Sequence, residues 1–266
     1  MIRPDVEVGD VVRSPSGKSY TLLKELAKGA QGRAFIASSG GTQCFLKYIT
    51  DPTPFSDQKL GGPFLAQQRR LQSVLSKVPD CVAEIHELFE YDTKYCRVDS
   101  LIAGGDLGKL LLAADLEPAN YPISRRARHV TMMAYTVAEV HSHGIVHCDL
   151  KPQNVLVEDR PDGTSRCVLV DFDAGITIGE PIKWFGMTEG YAAPEQVADP
   201  FGEIGPWTDV FALGVVMFEV LLGTTPWESG WESYVRGGGA KLSAADLAAQ
   251  TGASLPPEIY ALLDAC

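Results

Sequence analysis

Three polar side chains stand close together in GIVHCDLKPQNVLVE, residues 144–158. Asp149, Lys151 and Asn154 bring an acid, a lysine and an amide into a segment that is otherwise apolar. These residue types orient hydroxyl groups, neutralise anions and ligate hard cations. The alternative is that they only cap a turn. The interruption of two hydrophobic runs favours a site that performs chemistry.

The first hundred residues read mostly as strands. Residues 19–50 give β-like pieces that break at Gly29, Gly32 and the turn at 38–41. Apolar residues at helical spacing predict one helix over residues 63–78, and strand character resumes over residues 81–101. A glycine-containing hinge is expected at 103–105.

The remainder of the chain has a helical pattern. A short helix is predicted at residues 106–114, and a long one over residues 124–143 that stops at Gly144. The segment Thr208–Gly223 is apolar nearly all round, which predicts a buried helix.

Six short motifs follow one another in a fixed order along residues 20–263. They are LAKGAQGRA, CFLK, HCDLKPQN, DFD, AAPE and DVFALG. The sequence therefore resembles the eukaryotic-like Ser/Thr protein kinases. The resemblance implies an α+β, bilobal protein kinase-like fold. The expected lobes are residues 1–102, with a small antiparallel sheet and one helix, and residues 103–266, which are mainly helical.

The resemblance also implies a role for each polar residue in the opening segment. Asp149 matches the acid that orients the substrate hydroxyl and accepts its proton, and Lys151 matches the residue that neutralises the transferred phosphoryl group. Asn154 and Asp171 match the Mg²⁺ ligands. Phosphoryl transfer depends mainly on positioning and charge neutralisation, which accounts for this set of side chains.

The expected cofactors are ATP and Mg²⁺, with nucleotide contacts spread along the chain. Glycine-loop amides would cradle phosphates, although a plain hairpin turn is the alternative. Asp106 would contact ribose, with an exposed acid at a helix start as the alternative. The matched nucleotide-binding positions are Ala27, Gly29, Gly32, Lys47, Ser100, Ile102, Asp106 and Leu156.

Four positions depart from the family pattern. Gln67 aligns with the glutamate that usually pairs with the lysine at position 47, and Phe45 replaces an alanine that packs on adenine. Asp99 lies behind adenine, where a buried carboxylate needs a partner, so water or a shifted alignment is expected there. Asp173 replaces a glycine and removes its backbone tolerance.

Two residues bear on regulation and on the acceptor. Cys148 stands where many kinases have an arginine that binds an activation-loop phosphate, and a thiol cannot form that pair. We therefore expect activity that is independent of activation-loop phosphorylation. Thr188 matches a threonine that contacts the catalytic Asp–Lys pair, and with Lys151 it favours Ser/Thr as acceptor.

The composition excludes several classes of function. The chain has 266 residues, 45% of them hydrophobic, and a formal net charge of −11, so affinity for nucleic acid or an anionic membrane is not expected. Six scattered cysteines, with no signal-peptide or membrane segment, indicate a reduced, cytoplasmic protein.

Three functions remain open at this stage. The leading one is a Ser/Thr protein kinase that uses Mg·ATP on a protein substrate. A pseudokinase scaffold with weak or absent nucleotide binding is the main alternative, and a small-molecule kinase is the third. The final segment, LPPEIYALLDAC, resembles the start of a penultimate kinase helix, so a truncated chain or one domain of a longer protein is expected.

Overall fold

The protein was described from a computed structural model. The structure describes residues 6–29, 32–49, 58–92, 94–116, 121–179, 186–198 and 202–265. The chain divides into two compact units, Met1–Ile102 and Ala103–Cys266.

The first unit contains an antiparallel sheet and one helix. Its strands are β1 (Val11–Arg13), β2 (Ser19–Gly29), β3 (Gly32–Ser39), β4 (Thr42–Ile49), β5 (Ile85–Tyr91) and β6 (Lys94–Ser100). They are arranged in the order β1-β2-β3-β4-β6-β5. Helix α1 (Gln58–Leu75) packs on β5, and it begins and ends earlier than the sequence pattern predicted.

The two faces of this sheet differ in character because successive side chains on a strand point in opposite directions. On one face, Phe35, Leu46 and Val98 lie opposite one another and form part of the hydrophobic core of the unit. The register places Lys47 directly across from Arg97 on the other face. The candidate nucleotide lysine therefore lies on the face of the sheet opposite this core, together with Phe45, Arg97 and Asp99.

The second unit is mainly helical and has two small sheets. Its helices are α2 (Leu107–Leu116), α3 (Ile123–Ser142), α4 (Pro194–Val197), α5 (Pro206–Leu222), α6 (Trp231–Val235), α7 (Ala244–Thr251) and α8 (Pro257–Ala265). Its strands are β7 (Gly105–Asp106), β8 (Ile145–Val146), β9 (Val155–Asp159), β10 (Ser165–Leu169) and β11 (Ile176–Thr177). Helix α3 packs against α5 and β10, and the small sheets are β10-β9-β7 and β11-β8.

The two small sheets hold the segment of interest at both ends, because it leaves β8 and enters β9. Gly104 lies where the chain passes β9, and a Cβ atom there would lie 2.1 Å from the carbonyl oxygen of Val157. Only glycine fits this approach, so packing against β9 explains the glycine at position 104.

Helix α5 is largely buried, as its composition predicted. Most of its side chains are buried, although Val210 is 48% exposed and Trp207, which precedes the predicted segment, is 50% exposed. Across the ranges covered by the structure, no helix has the length and apolar character needed to cross a membrane.

Candidate active site

The segment between β8 and β9 forms a network of hydrogen bonds around one carboxylate. Lys151 Nζ donates to Asp149 Oδ2 at 2.8 Å, and Asn154 Nδ2 donates to the same oxygen at 3.2 Å. Thr188 Oγ1 donates to Asp149 Oδ1 at 2.6 Å and accepts from Lys151 Nζ at 2.7 Å. The contact of Thr188 with the Asp–Lys pair, predicted from the sequence, is present. These bonds fix the orientation of the Asp149 carboxylate.

A buried acid on α5 holds the backbone of this loop. Asp209 accepts hydrogen bonds from the backbone amides of His147, at 2.7 Å, and Cys148, at 2.8 Å, while its Oδ2 lies 2.8 Å from His141 Nε2. Its residue exposure is only 1%. Because several donors satisfy this buried carboxylate, it anchors the loop to the most buried helix of the unit.

Asp171 adopts a left-handed backbone conformation just after β10. Its φ is 63° and its ψ is 59°, and a short 3₁₀ turn follows at Phe172–Ala174. The Phe172 ring packs on His147 with ring centroids 4.5 Å apart. Asp173 lies inside the turn and has no positive φ. The strained backbone is thus at Asp171, and the absence of glycine at position 173 carries no conformational penalty.

The oxygen atoms near this loop suit a magnesium ion. The Nδ2 atom of Asn154 donates to the carbonyl oxygen of Asp149 at 2.8 Å, which orients the amide, and both hydrogen bonds of Asn154 to Asp149 use this nitrogen rather than Oδ1. Within the described ranges, no cluster of three or more His, Cys, Asp or Glu side chains forms a metal cage. Mg²⁺ commonly binds through one or two protein ligands plus substrate phosphates and water, so the donor set of Asn154 and Asp171 fits it.

Cys148 is a buried member of the same loop. It is 3% exposed, and its φ is 65°. Burial, followed by the nearby Asp209 carboxylate, raises the pKa of the Cys148 thiol well above its usual range. The thiol therefore stays protonated and unreactive at neutral pH. Its carbonyl oxygen accepts a 2.8 Å hydrogen bond from Gln196, which connects the loop to α4.

The glycine-loop residues lie at the end of the β2–β3 hairpin. Gly29 pairs with Gly32, and Ala27 pairs with Ala34. Gly32 has a φ of 153°, and a Cβ atom there would lie 2.3 Å from the carbonyl oxygen of Tyr48. Packing against β4 therefore requires glycine at position 32 irrespective of any ligand.

Two of the departures from the family pattern, Phe45 and Asp99, lie on the same face of the sheet as Lys47. Lys47 is 9% exposed, and Arg97 lies across from it on β6. Arg97 Nε bonds Asp99 Oδ2 at 2.9 Å, and these two residues are 3% and 5% exposed. The expectation that Asp99 needs water or a shifted alignment is wrong, because Arg97 supplies its partner. Phe45 lies across from Asp99 and is half-buried.

Four further residues were predicted to contact the nucleotide, namely Ser100, Ile102, Asp106 and Leu156. Ser100 Oγ forms a 3.1 Å hydrogen bond with His86 Nε2, and Ile102 is half-buried. Asp106 Oδ1 accepts the backbone amide of Lys109 at 2.8 Å, so it caps the start of α2. Asp106 is 9% exposed, which rules out an exposed helix-start acid. Leu156 on β9 pairs with Asp106 on β7.

Arg97 was missed by sequence reasoning, although a signal for it exists. Residues two apart on a strand point to the same face, so Arg97 and Asp99 were the natural candidates for an ion pair. Gln196 had no such signal, because its bond to the loop depends on how α4 packs.

A match to a known protein family agrees with the geometry of this site. The family described as protein kinase domain matches residues 20–266. The chain belongs to the protein kinase family. Ser/Thr kinases are among its relatives, and the predicted resemblance is thereby confirmed.

Two curated relatives illustrate the likeness. The serine/threonine-protein kinase SBK1 of Mus musculus is 32% identical over 218 residues, which is 80% of this chain and 49% of that protein. The DNA damage-responsive serine/threonine-protein kinase RqkA of Deinococcus radiodurans is 30% identical, over 78% of this chain and 30% of its own length. This kinase domain thus spans about half or less of these relatives.

A solved structure supports the fold independently. The kinase domain of Mycobacterium tuberculosis PknI matches with a TM-score of 0.63 and 23% identity, over 93% of this chain and 88% of that one. The predicted protein kinase fold is confirmed.

Proposed function

We propose that this kinase domain transfers the γ-phosphoryl group of Mg·ATP to Ser or Thr hydroxyls of a protein substrate. The network that joins Asp149, Lys151, Asn154 and Thr188 carries this proposal. In this role Asp149 orients the acceptor hydroxyl and takes its proton, while Lys151 neutralises charge on the phosphoryl group. Mg²⁺ supplies the charge neutralisation of the phosphates, with Asn154 and Asp171 as its protein ligands.

The proposal assigns the remaining predicted residues to the nucleotide. Lys47 holds the α- and β-phosphates, backbone groups at Ser100 and Ile102 contact adenine, and Leu156 packs on the ring. Asp106, whose two carboxylate oxygens accept hydrogen bonds from Lys109, contacts ribose. The glycine-loop positions Ala27, Gly29 and Gly32 present backbone amides to phosphate.

Activity is proposed to be independent of phosphorylation in the activation loop. Cys148 is buried, and its thiol is neutral, so it offers no cation to a phosphate. The catalytic loop is held instead by Asp209 and by the bond from Gln196 to the Cys148 carbonyl oxygen. A loop anchored through its backbone does not need a phosphate to keep its conformation.

We also propose that the protein is cytoplasmic. The five cysteines that the structure describes are free thiols, which is usual for proteins of reducing compartments. The proposed partners are ATP and a protein substrate, together with any further domains of a longer chain, and neither nucleic acid nor membrane.

The deciding experiment measures ³²P transfer from Mg·ATP to a general protein substrate. Asp149→Asn keeps the size of the side chain but removes its carboxylate, so transfer should fall about 10²- to 10⁴-fold while ATP affinity changes little. Asp162→Asn is the matched control, since Asp162 lies in an exposed hairpin turn. Equal activity in wild type and Asp149→Asn would refute the assignment.

The same assay tests the regulatory claim. Prior treatment of the kinase with a phosphatase should leave the initial rate unchanged, because no phosphorylated residue of the chain is part of the proposed site. A rate that collapses after treatment and returns on rephosphorylation would contradict it.

A second candidate is a pseudokinase, favoured by one observation in the first unit. Phe45 shares a sheet face with Lys47 and lies beside the buried Arg97–Asp99 pair. A bulky ring and an added ion pair on this face both change the surface offered to a nucleotide. Measured ATP binding separates the two functions.

A further inference from the structure

A groove in the second unit runs between residues 187–198 and helix α6. It has a volume of about 770 Å³, within the range of ligand-binding sites. Its apolar lining comes from both sides, with Val197 from α4 and with Trp231 and Val235 from α6. None of these side chains takes part in the proposed phosphoryl transfer, so the groove offers a surface for something other than the nucleotide.

The groove begins beside the candidate catalytic acid. Met187 and Glu189 line it, and they are the two neighbours of Thr188 in the chain. The hydroxyl of Thr188 donates to Asp149 at 2.6 Å. An extended peptide advances about 3.3 Å per residue, so a protein whose hydroxyl lies at Asp149 reaches the groove within a few residues. The chain that carries the acceptor hydroxyl is therefore the occupant that this position indicates.

Two tryptophan side chains hold one wall of the groove in place. Trp231 Nε1 donates to the carbonyl oxygen of Ala192 at 2.8 Å, and Trp227 Nε1 donates to the carbonyl oxygen of Gly190 at 3.1 Å. These bonds fix residues 190–192 to α6 and to the loop before it. Because the wall is ordered before a peptide arrives, less ordering is required on binding.

The polar lining of the groove is mainly acidic. Three glutamates and one arginine, Glu189, Glu195, Glu232 and Arg236, give it a formal charge of −2. Glu195 accepts a hydrogen bond from Thr208 at 2.7 Å, and Glu232 forms an ion pair with Arg236 at 3.0 Å. Glu189 is exposed and has no ion-pair partner among the residues that the structure describes. Its carboxylate is therefore the one most available to a cation.

An apolar groove with an acidic lining complements a basic peptide. The long stem of a lysine or arginine can cover Trp231 and Val235 while its charged group reaches a carboxylate. Charge complementarity of this kind governs specificity and the rate of association more than total affinity. An acidic peptide would place like charges together in the same groove and would be rejected.

We propose that this groove binds a basic segment of the protein substrate, with Glu189 as a specificity-determining residue. The proposal rests on the proposed kinase function and deepens it by naming the substrate class: proteins with lysine or arginine within a few residues of the acceptor Ser or Thr. Arg236 acts in the opposite direction, because its charge offsets one of the carboxylates in the groove.

The test measures binding of dye-labelled peptides to the whole chain by fluorescence anisotropy, which needs no phosphoryl transfer. One peptide has leucine and lysine on both sides of an alanine that replaces the acceptor, and in its partner each lysine is glutamine. We expect the lysine peptide to bind about tenfold more tightly, with a difference that shrinks at high salt.

Variants of the groove should change this preference in opposite directions. Glu189→Gln should lower the preference for lysine about two- to fivefold, and Arg236→Gln should raise it by a similar factor. A purely structural effect would not give opposite signs. The matched control is Glu258→Gln, an equal loss of charge at an exposed position on α8, which should keep the preference of wild type.

Equal affinity of wild type for the two peptides overturns the proposal. A preference that Glu189→Gln leaves unchanged overturns it too, because the peptide would then bind elsewhere. Peptides with serine restored separate this proposal from the kinase function. Transfer of ³²P to protein with no preference for the lysine peptide refutes the groove and leaves the kinase function standing. Binding of the lysine peptide with no transfer to any substrate refutes the kinase function and leaves the groove as a site for basic peptides.

Discussion

At the scale of single residues, the candidate chemistry depends on side chains that constrain one another. Asp149 receives hydrogen bonds from Thr188, Lys151 and Asn154, so its carboxylate has one orientation. Asn154 donates its amide hydrogens to Asp149, which leaves oxygen as the atom suited to a cation. The division of roles between an orienting acid and a metal ligand therefore has a structural basis.

Asp171→Asn tests the metal role at this scale. The amide is a weaker ligand for a hard cation than a carboxylate, so ATP affinity measured with Mg²⁺ should fall about tenfold or more. Affinity measured in EDTA should change little. Calorimetry under both conditions checks this, and metal-independent ATP binding in wild type would show that Asp171 is not a metal ligand.

At the scale of elements, β6 contains an ion pair that is almost completely buried. Arg97 and Asp99 lie on the same side of the strand, next to Lys47 on β4. Two cations directly opposite each other on a sheet repel, and Asp99 offsets that repulsion. The Arg97–Asp99 ion pair therefore stabilises the burial of Lys47 on this face of the sheet.

Removing one partner should be costly, since it takes the ion-pair partner from a buried charge. Arg97→Met should lower the free energy of unfolding by about 3–5 kcal/mol, and the double variant Arg97→Met, Asp99→Leu should be less destabilised than either single variant. Urea unfolding measures both. Arg236→Met, which breaks an exposed pair with Glu232, is the control and should change stability little. A double variant as unstable as the sum of the singles would argue against coupling.

Helix α3 contributes a pH dependence of stability through His129. Burial and Arg125 lower its pKa from 6.5 to about 4, with Arg128 acting in the same direction and Asp159 opposing it. The unfolded chain then binds the proton more tightly. Stability from this group is therefore complete above pH 6.5 and is lost as the pH falls from 6.5 toward 4, by about 3 kcal/mol at most.

His129→Asn should flatten that part of the stability profile. Thermal unfolding between pH 4.5 and 8 compares the variant with wild type, and other titrating groups cancel in the difference. An identical slope in the two proteins would show that His129 is not buried as a neutral ring.

At the scale of the whole molecule, nucleotide binding decides between an active kinase and a pseudokinase. A ligand that binds only the folded state stabilises it, by about 2.7 kcal/mol at one hundred times its Kd. We expect Mg·ATP to raise the Tm of wild type, and Phe45→Ala to bind at least as tightly because the smaller side chain adds space. Thermal shift on both proteins checks this. A rise seen only in Phe45→Ala would support the pseudokinase.

The sequence by itself determined the family, the order of a β-rich unit followed by a mainly helical one, and the positions of the loop residues proposed for catalysis. These are local properties. Asp149, Lys151 and Asn154 lie within one short loop, and the periodicity of strands and helices can be read directly from the sequence. The contact of Thr188 with that loop was also predictable from the motif resemblance. Helix boundaries were less predictable, since α1 runs from Gln58 to Leu75 whereas the pattern predicted residues 63–78.

Only the tertiary structure decided which polar groups are paired, and where the strain lies. The partner of Asp99, the left-handed backbone at Asp171 and the anchoring of Cys148 by Asp209 and Gln196 depend on strand register and helix packing. The buried Nε2 atom of His129, which has no hydrogen-bond partner in the part of the chain that the structure describes, likewise depends on the packing of α3 against β10. The physical reason is that burial, which sets the energy of a charge or an unpaired donor, comes from contacts between residues distant in sequence.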